Sequence, residues 1–332
     1  MIVGAFLGGL KRVVSAPAVL IGVFALTFVM TVPLALTVRT MLRDHLGDSL
    51  AAHQAADGVN YDWWQEFMAQ AGGLGTTFTP QVVGFAAVLN NIGGVMDGEG
   101  HIAPVAGALG AYLFVWTFLI GGVIDRYARQ RRTRAHGFFG SSGVFFIRFL
   151  RLAALAGCVY WFLFAYVHEW LFDDWFRIAT RDLDVERQAF AWRLLMYVVF
   201  GALLVAVNTL FDYAKIRAVV EDRRSMLGAL LASGRFIARH PSRVAGLYAL
   251  NTLLFLVIIG VWALLAPGSG RAGPTMWLTF VFAQAYVIAR LFVKLHVIAS
   301  QTALFQASLA HAAYTAAPEP VWPESPAAEA IR

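Results

Sequence analysis

The chain has 332 residues, 59% of them hydrophobic and 14% charged, with a formal net charge of +6. Its mean hydropathy is +0.65, whereas a soluble domain usually holds its apolar fraction near about 45–50%. The surplus falls in blocks of about 20 residues, long enough to cross a hydrocarbon core. A soluble fold is set aside, and an all-α integral membrane protein with six transmembrane helices is expected.

The basic balance, with a pI near 9.7, fits arginines retained in cytoplasmic loops. No basic stretch carries a base-reading or stacking module, so nucleic acid is set aside as a partner. Cys158 is the sole cysteine and cannot form a disulfide within the chain. Lysine occurs only at Lys11, Lys215 and Lys294, and this arginine bias together with abundant alanine is typical of a GC-rich bacterial genome.

The first apolar block runs from Val13 to Val38, too long for a signal-peptide core, and is expected to stay as a span. The others cover Pro104–Ile124, Leu150–Trp170, Trp192–Phe211, Val244–Leu265 and Met276–Ile298. Lys11 and Arg12 precede the first block, Arg126 to Arg134 follow the second, and Lys215 to Arg243 follow the fourth. The alternate connections are acidic, with Asp44, Asp62 and Glu66 in one and Asp173, Asp174 and Asp182 in another. The positive-inside rule then puts both termini in the cytoplasm, in a bacterial inner membrane.

The long outer connection, residues 39–103, holds two amphipathic stretches. Trp63, Trp64, Phe67 and Met68 share one helical face, as do Val82, Phe85, Ala86 and Leu89. Each predicts a short interfacial or capping helix, and a gating lid is the sharper alternative. The tail, 313–332, carries Pro318, Pro320, Pro323 and Pro326 among alanine and glutamate, and is expected to be disordered in the cytoplasm.

A repeat underlies this order. Gly4-Ala5-Phe6-Leu7 matches Gly228-Ala229-Leu230-Leu231, and without a gap Lys11 falls on Arg235, Pro17 on Pro241 and Gly22 on Gly246. Gly143, Phe145 and Arg148 give a weaker third copy, matching Gly234, Phe236 and Arg239. Three units are expected within a membrane domain of residues 1–312: about 1–135, 136–224 and 225–312. In each, a helix along the cytoplasmic surface turns through an elbow into a helical hairpin.

Several polar residues lie within the apolar blocks. Arg290 sits in the last one, where an unpaired charge costs about 2.5–3.5 kcal/mol, so an ion pair with Asp212 or Asp125 is expected. Asn208, Asn251 and Gln284 are candidate lining for a polar pathway, with contact between helices as their ordinary use. His168-Glu169 with Asp173 and Asp174 could hold a cation, although no second histidine completes a zinc-protease motif. No Walker-type loop, nucleophile elbow or serine–histidine pairing occurs. No catalytic residue, cofactor or metal site is therefore expected.

The stretch Asp212-Tyr213-Ala214-Lys215-Ile216-Arg217 through Glu221, then Gly228-Ala229-Leu230-Leu231-Ala232-Ser233-Gly234-Arg235-Phe236, carries a family likeness. From Gly4 to about Gln306 the chain resembles the six-helix membrane domain attached to some bacterial glycerophosphodiester phosphodiesterases, and related six-span proteins. In that family the chemistry belongs to a separate soluble domain, so the resemblance implies no catalytic residue here. The expected role is a non-catalytic scaffold or accessory subunit in envelope or lipid processes, partnered by the bilayer and, at its basic face, by anionic lipid or a protein. A transporter with a pathway between the repeats is the alternative.

Overall fold

The computed structural model describes residues 1–47, 49, 51–57, 60–79, 85–100, 102–130, 133–266 and 273–313. Every regular element among them is helical. Six helical segments are long and apolar enough to cross a membrane: Pro17–Leu46, Ala103–Arg129, Ala135–Thr180, Glu186–Val220, Pro241–Leu265 and Pro274–Leu309. Each contains one of the six predicted blocks or nearly all of it. Most of their apolar surface is not covered by the chain itself; Val29, Leu264 and Trp277, for example, are exposed.

Helix α1 (Ile2–Val14) is followed at once by α2 (Pro17–Leu46). The break between them is forced locally. A proline ring clashes with a helical residue before it, and Ala16 accordingly lies at φ −132°, ψ 57°. The same device separates α10 (Met226–Arg239) from α11 (Pro241–Leu265), where His240 takes φ −132°, ψ 45° before Pro241. The central segment differs. The expected elbow before the third span does not separate, because Leu150 stands where a proline would be needed. One helix, α7 (Ala135–Phe162), runs through that point. It continues as π-helical turns to Trp175 and ends in α8 (Phe176–Thr180).

The outer connection forms α3 (Ala51–Asp57), α4 (Tyr61–Gln70), a 3₁₀ turn over Gly73–Thr77, and α5 (Phe85–Met96). Asn60 caps α4 by accepting a hydrogen bond from the Trp63 amide. The α4 face is used for packing: Phe67 is buried, Trp63 Nε1 donates to His45 Nδ1 at 3.1 Å, and Phe78 closes the aromatic cluster. The second predicted face falls on Val82, outside the described residues, and on Phe85, Ala86 and Leu89, whose side chains are likewise not described. The tail beyond Ala313 also lies outside them.

Helices α6 (Ala103–Arg129), α9 (Glu186–Val220) and α12 (Pro274–Ala313) complete the bundle. Its tight core lies at one end, here called basal, where α2, α7 and α11 begin and α6, α9 and α12 finish. There α12 is the axis: Leu295, His296, Ala299, Ser300, Thr302, Leu304 and Phe305 are fully or almost fully buried. Small residues allow the close approach. A Cβ at Gly9 of α1 would meet the Ser300 backbone at 2.7 Å, and one at Gly122 of α6 would meet the Phe138 carbonyl at 2.8 Å. The opposite half is looser and more exposed. Its helices answer their own hydroxyls locally, Thr31, Thr37 and Thr40 each donating to a carbonyl one turn back.

Candidate functional site

The polar residues singled out from the sequence do not converge. Arg290 pairs with neither aspartate. Asp125 is taken by Arg129, whose Nε lies 2.7 Å away, and by Ser141 at 3.0 Å. Asp212 is taken by Lys215 at 2.6 Å and accepts from Asn208 at 3.3 Å. Each aspartate thus has a base one turn further along its own helix, which is closer than any partner across the bundle. Arg290 instead lies over the Tyr286 ring, 5.7 Å from its centroid.

Asn251 is buried and donates to Ser300 Oγ at 3.1 Å, joining α11 to α12 as an ordinary interhelical contact. Gln284 is half-buried on α12, about four turns before Ser300. The acidic cluster at His168, weighed as a cation site from the sequence, is dispersed too. The His168 ring meets the Met96 carbonyl at 3.0 Å and stacks on Phe172, while Asp174 pairs with Arg177. Among the described residues, no three metal-ligating side chains gather.

The basal end carries a different constellation. A pocket of about 470 Å³ opens between α9, α10 and the end of α12, lined by Arg217, Arg223, Arg235, Arg239 and His240, with Phe305 on its wall. Glu221 is the acid beside it, and it is already engaged. Arg217 donates to it at 2.8 Å and Arg223 binds it closely, so one carboxylate answers two guanidiniums. Burial pushes the Glu221 carboxyl up, but the hydrogen bonds from Arg217 and Arg223 outweigh it and hold it below the usual carboxylate range. Arg217 is fixed further by donating to the Ala232 carbonyl and lying over the Phe305 ring. Arg235 and Arg239, on the open face of α10, have no ion-pair partner among the described residues.

Neighbouring contacts stiffen this end. Arg148 of α7 reaches Asp222 at 2.6 Å, and that hydrogen bond holds the Asp222 carboxyl below its ordinary value. Ser225 caps α10 by accepting from the Gly228 amide at 3.2 Å. Gln306 of α12 donates to the Ala128 carbonyl at 3.0 Å, and Arg126 of α6 donates to the Ser15 carbonyl at 3.1 Å. Arg12 is buried with its Nη1 unpartnered, and burial pushes its guanidinium below its ordinary value.

The charge count flagged this basic connection, but its fold into a pocket depends on α10 turning back along α9 so that Phe236 meets Phe305 of α12, which no local pattern announces. Such an arrangement can hold an anion by charge-assisted hydrogen bonds in fork geometry. Comparison with protein-family models, with curated proteins and with solved structures finds no match.

Proposed function

We propose that this chain is a non-catalytic multi-pass protein of the bacterial inner membrane, with both termini in the cytoplasm. In this reading it is a scaffold or accessory subunit in envelope or lipid processes that grips anionic lipid headgroups at its basic basal face. One observation carries the reading: five basic side chains line a single pocket beside a lone carboxylate that two of them already occupy. Basic pockets between helices at the cytoplasmic boundary suit phosphate headgroups. The scatter of Asn208, Asn251 and Gln284 supports a scaffold over a continuous polar pathway. The matching backbone breaks at Ala16 and His240, with Ala5 and Ala229 both buried at aligned positions, support the repeat for its two outer units.

The test is affinity purification from native membranes, with lipid and protein identification, of the wild-type chain and an Arg235→Gln/Arg239→Gln variant. Co-purifying anionic lipid should fall at least tenfold in the variant, the loss of about 1.4 kcal/mol or more of charge-assisted contact. Unchanged lipid would refute the reading.

A further inference from the structure

A second cavity, of about 490 Å³, lies away from the basal pocket, between α2, α6, α11 and α12. Thr27 on its wall is ten residues along α2 from Pro17, about 15 Å of helix. The cavity therefore opens within the apolar zone. Two cations project into it from successive turns of α12, Arg290 and Lys294, and no carboxylate lines it.

Each cation rests on a prepared aromatic pair. Lys294 Nζ lies 3.7 Å from the Trp116 ring centroid and 4.9 Å from that of Tyr112, and donates to the Tyr112 hydroxyl at 3.1 Å. Tyr112 and Trp116 are themselves stacked, 6.5 Å apart. Arg290 lies over Tyr286, which stacks on Trp262 at 4.6 Å. Aromatic faces hold a cation in place without neutralising it. Asp212 of α9 is bound to Lys215. Two oriented positive charges in an apolar wall, with no ion-pair partner among the described residues, mark a ligand position.

We propose that this cavity binds the phosphate of an anionic amphiphile between Arg290 and Lys294. The Tyr112 hydroxyl accepts from Lys294, which leaves its own proton free to donate to a phosphate oxygen. Phe255, Val287 and Leu291 supply the surface for an apolar body. A phosphate monoester carries up to about two negative charges near neutral pH and matches both cations. The site is separate from the basal pocket and stands or falls independently of it.

The experiment uses the full chain carrying Arg235→Gln/Arg239→Gln, which weakens the basal pocket, so that a further loss on changing Arg290 reports on this cavity. It is placed in phosphatidylcholine nanodiscs with and without phosphatidic acid, and retained lipid is read by native mass spectrometry. In a parallel arm, inorganic phosphate is added to the same chain in detergent and thermal unfolding is followed. Phosphatidic acid should be retained over phosphatidylcholine, about tenfold or more weakly after Arg290→Gln, and nearly as well after Arg290→Lys. Arg290 is exposed, so both variants should fold, and their unfolding curves check this. Inert inorganic phosphate identifies a lipid as the source. Stabilisation by inorganic phosphate that depends on Arg290 supports the same site with a free anion as the source. Equal retention by the Arg290→Gln chain, or none beyond phosphatidylcholine in either arm, overturns the proposal.

Discussion

Gly9→Ala tests the close packing at the basal end. The added methyl would sit 2.7 Å from the Ser300 N, Cα and Cβ atoms, whereas carbon atoms settle at about 3.5–4.0 Å. Roughly 1 Å must be found by moving α1 or α12, at about 1–3 kcal/mol for overpacking. Against this, alanine in place of glycine favours the helix by about 0.8–1.0 kcal/mol. Gly4 separates the two effects, because nothing lies within 4 Å of a Cβ there. Gly4→Ala should therefore gain the propensity alone, leaving the pair about 1–3 kcal/mol apart. Thermal unfolding of the two purified variants in one detergent, followed by tryptophan fluorescence, measures that gap. Ser300→Gly should rescue Gly9→Ala only in part, since two of the three close atoms are backbone. If Gly9→Ala is as stable as Gly4→Ala, the contact between α1 and α12 is wrong.

Four other outcomes are expected. Arg290→Ala and Asp212→Ala should lose folded yield additively in the double variant, since their side chains do not pair; a coupling energy above about 0.5 kcal/mol would contradict the geometry. Glu221 has a lowered folded pKa, so its contribution to stability is present above its ordinary value of 4.5 and lost as pH falls through the lowered one. A Glu221→Gln chain should accordingly show a flatter dependence of melting temperature on pH over that acidic range. His296 is fully buried between Phe6 and Phe292 with neither ring nitrogen partnered, so His296→Leu should hold or raise stability, by up to about 1–3 kcal/mol; a loss in thermal unfolding would show an unseen partner. In a Cys158→Ser background, cysteines at Asn60 and Gln130 should label from opposite sides of the membrane, and labelling from one side would overturn the orientation.

The six long helices were legible because apolar length is a local property, carried by blocks such as Val244–Leu265. The breaks at Pro17 and Pro241 were legible for the same reason. The missing elbow at Leu150 was also in principle readable, since similarity without the proline lacks the one residue that imposes the turn. The partner of Arg290 was not. Asp212 and Asp125 are at suitable sequence positions, but Lys215 and Arg129 lie one turn away on the same helices and take them first. The basal pocket and the cavity at Lys294 both arise where helices meet, and no local pattern sets Tyr112 and Trp116 of α6 against Lys294 of α12.

The axial place of α12 has a consequence for assembly. The part of α12 that α1 grips, around Ser300, is separated in sequence from Gly9 by α2 to α11, so the first helix must wait, its glycine face uncovered, while those helices are synthesised. Contacts of such long sequence separation form late and slowly. A nascent chain stalled before Ser300 should therefore resemble a set of inserted hairpins without a centre, sensitive to proteolysis at the first connection, and should become resistant only once the final segment slides into place.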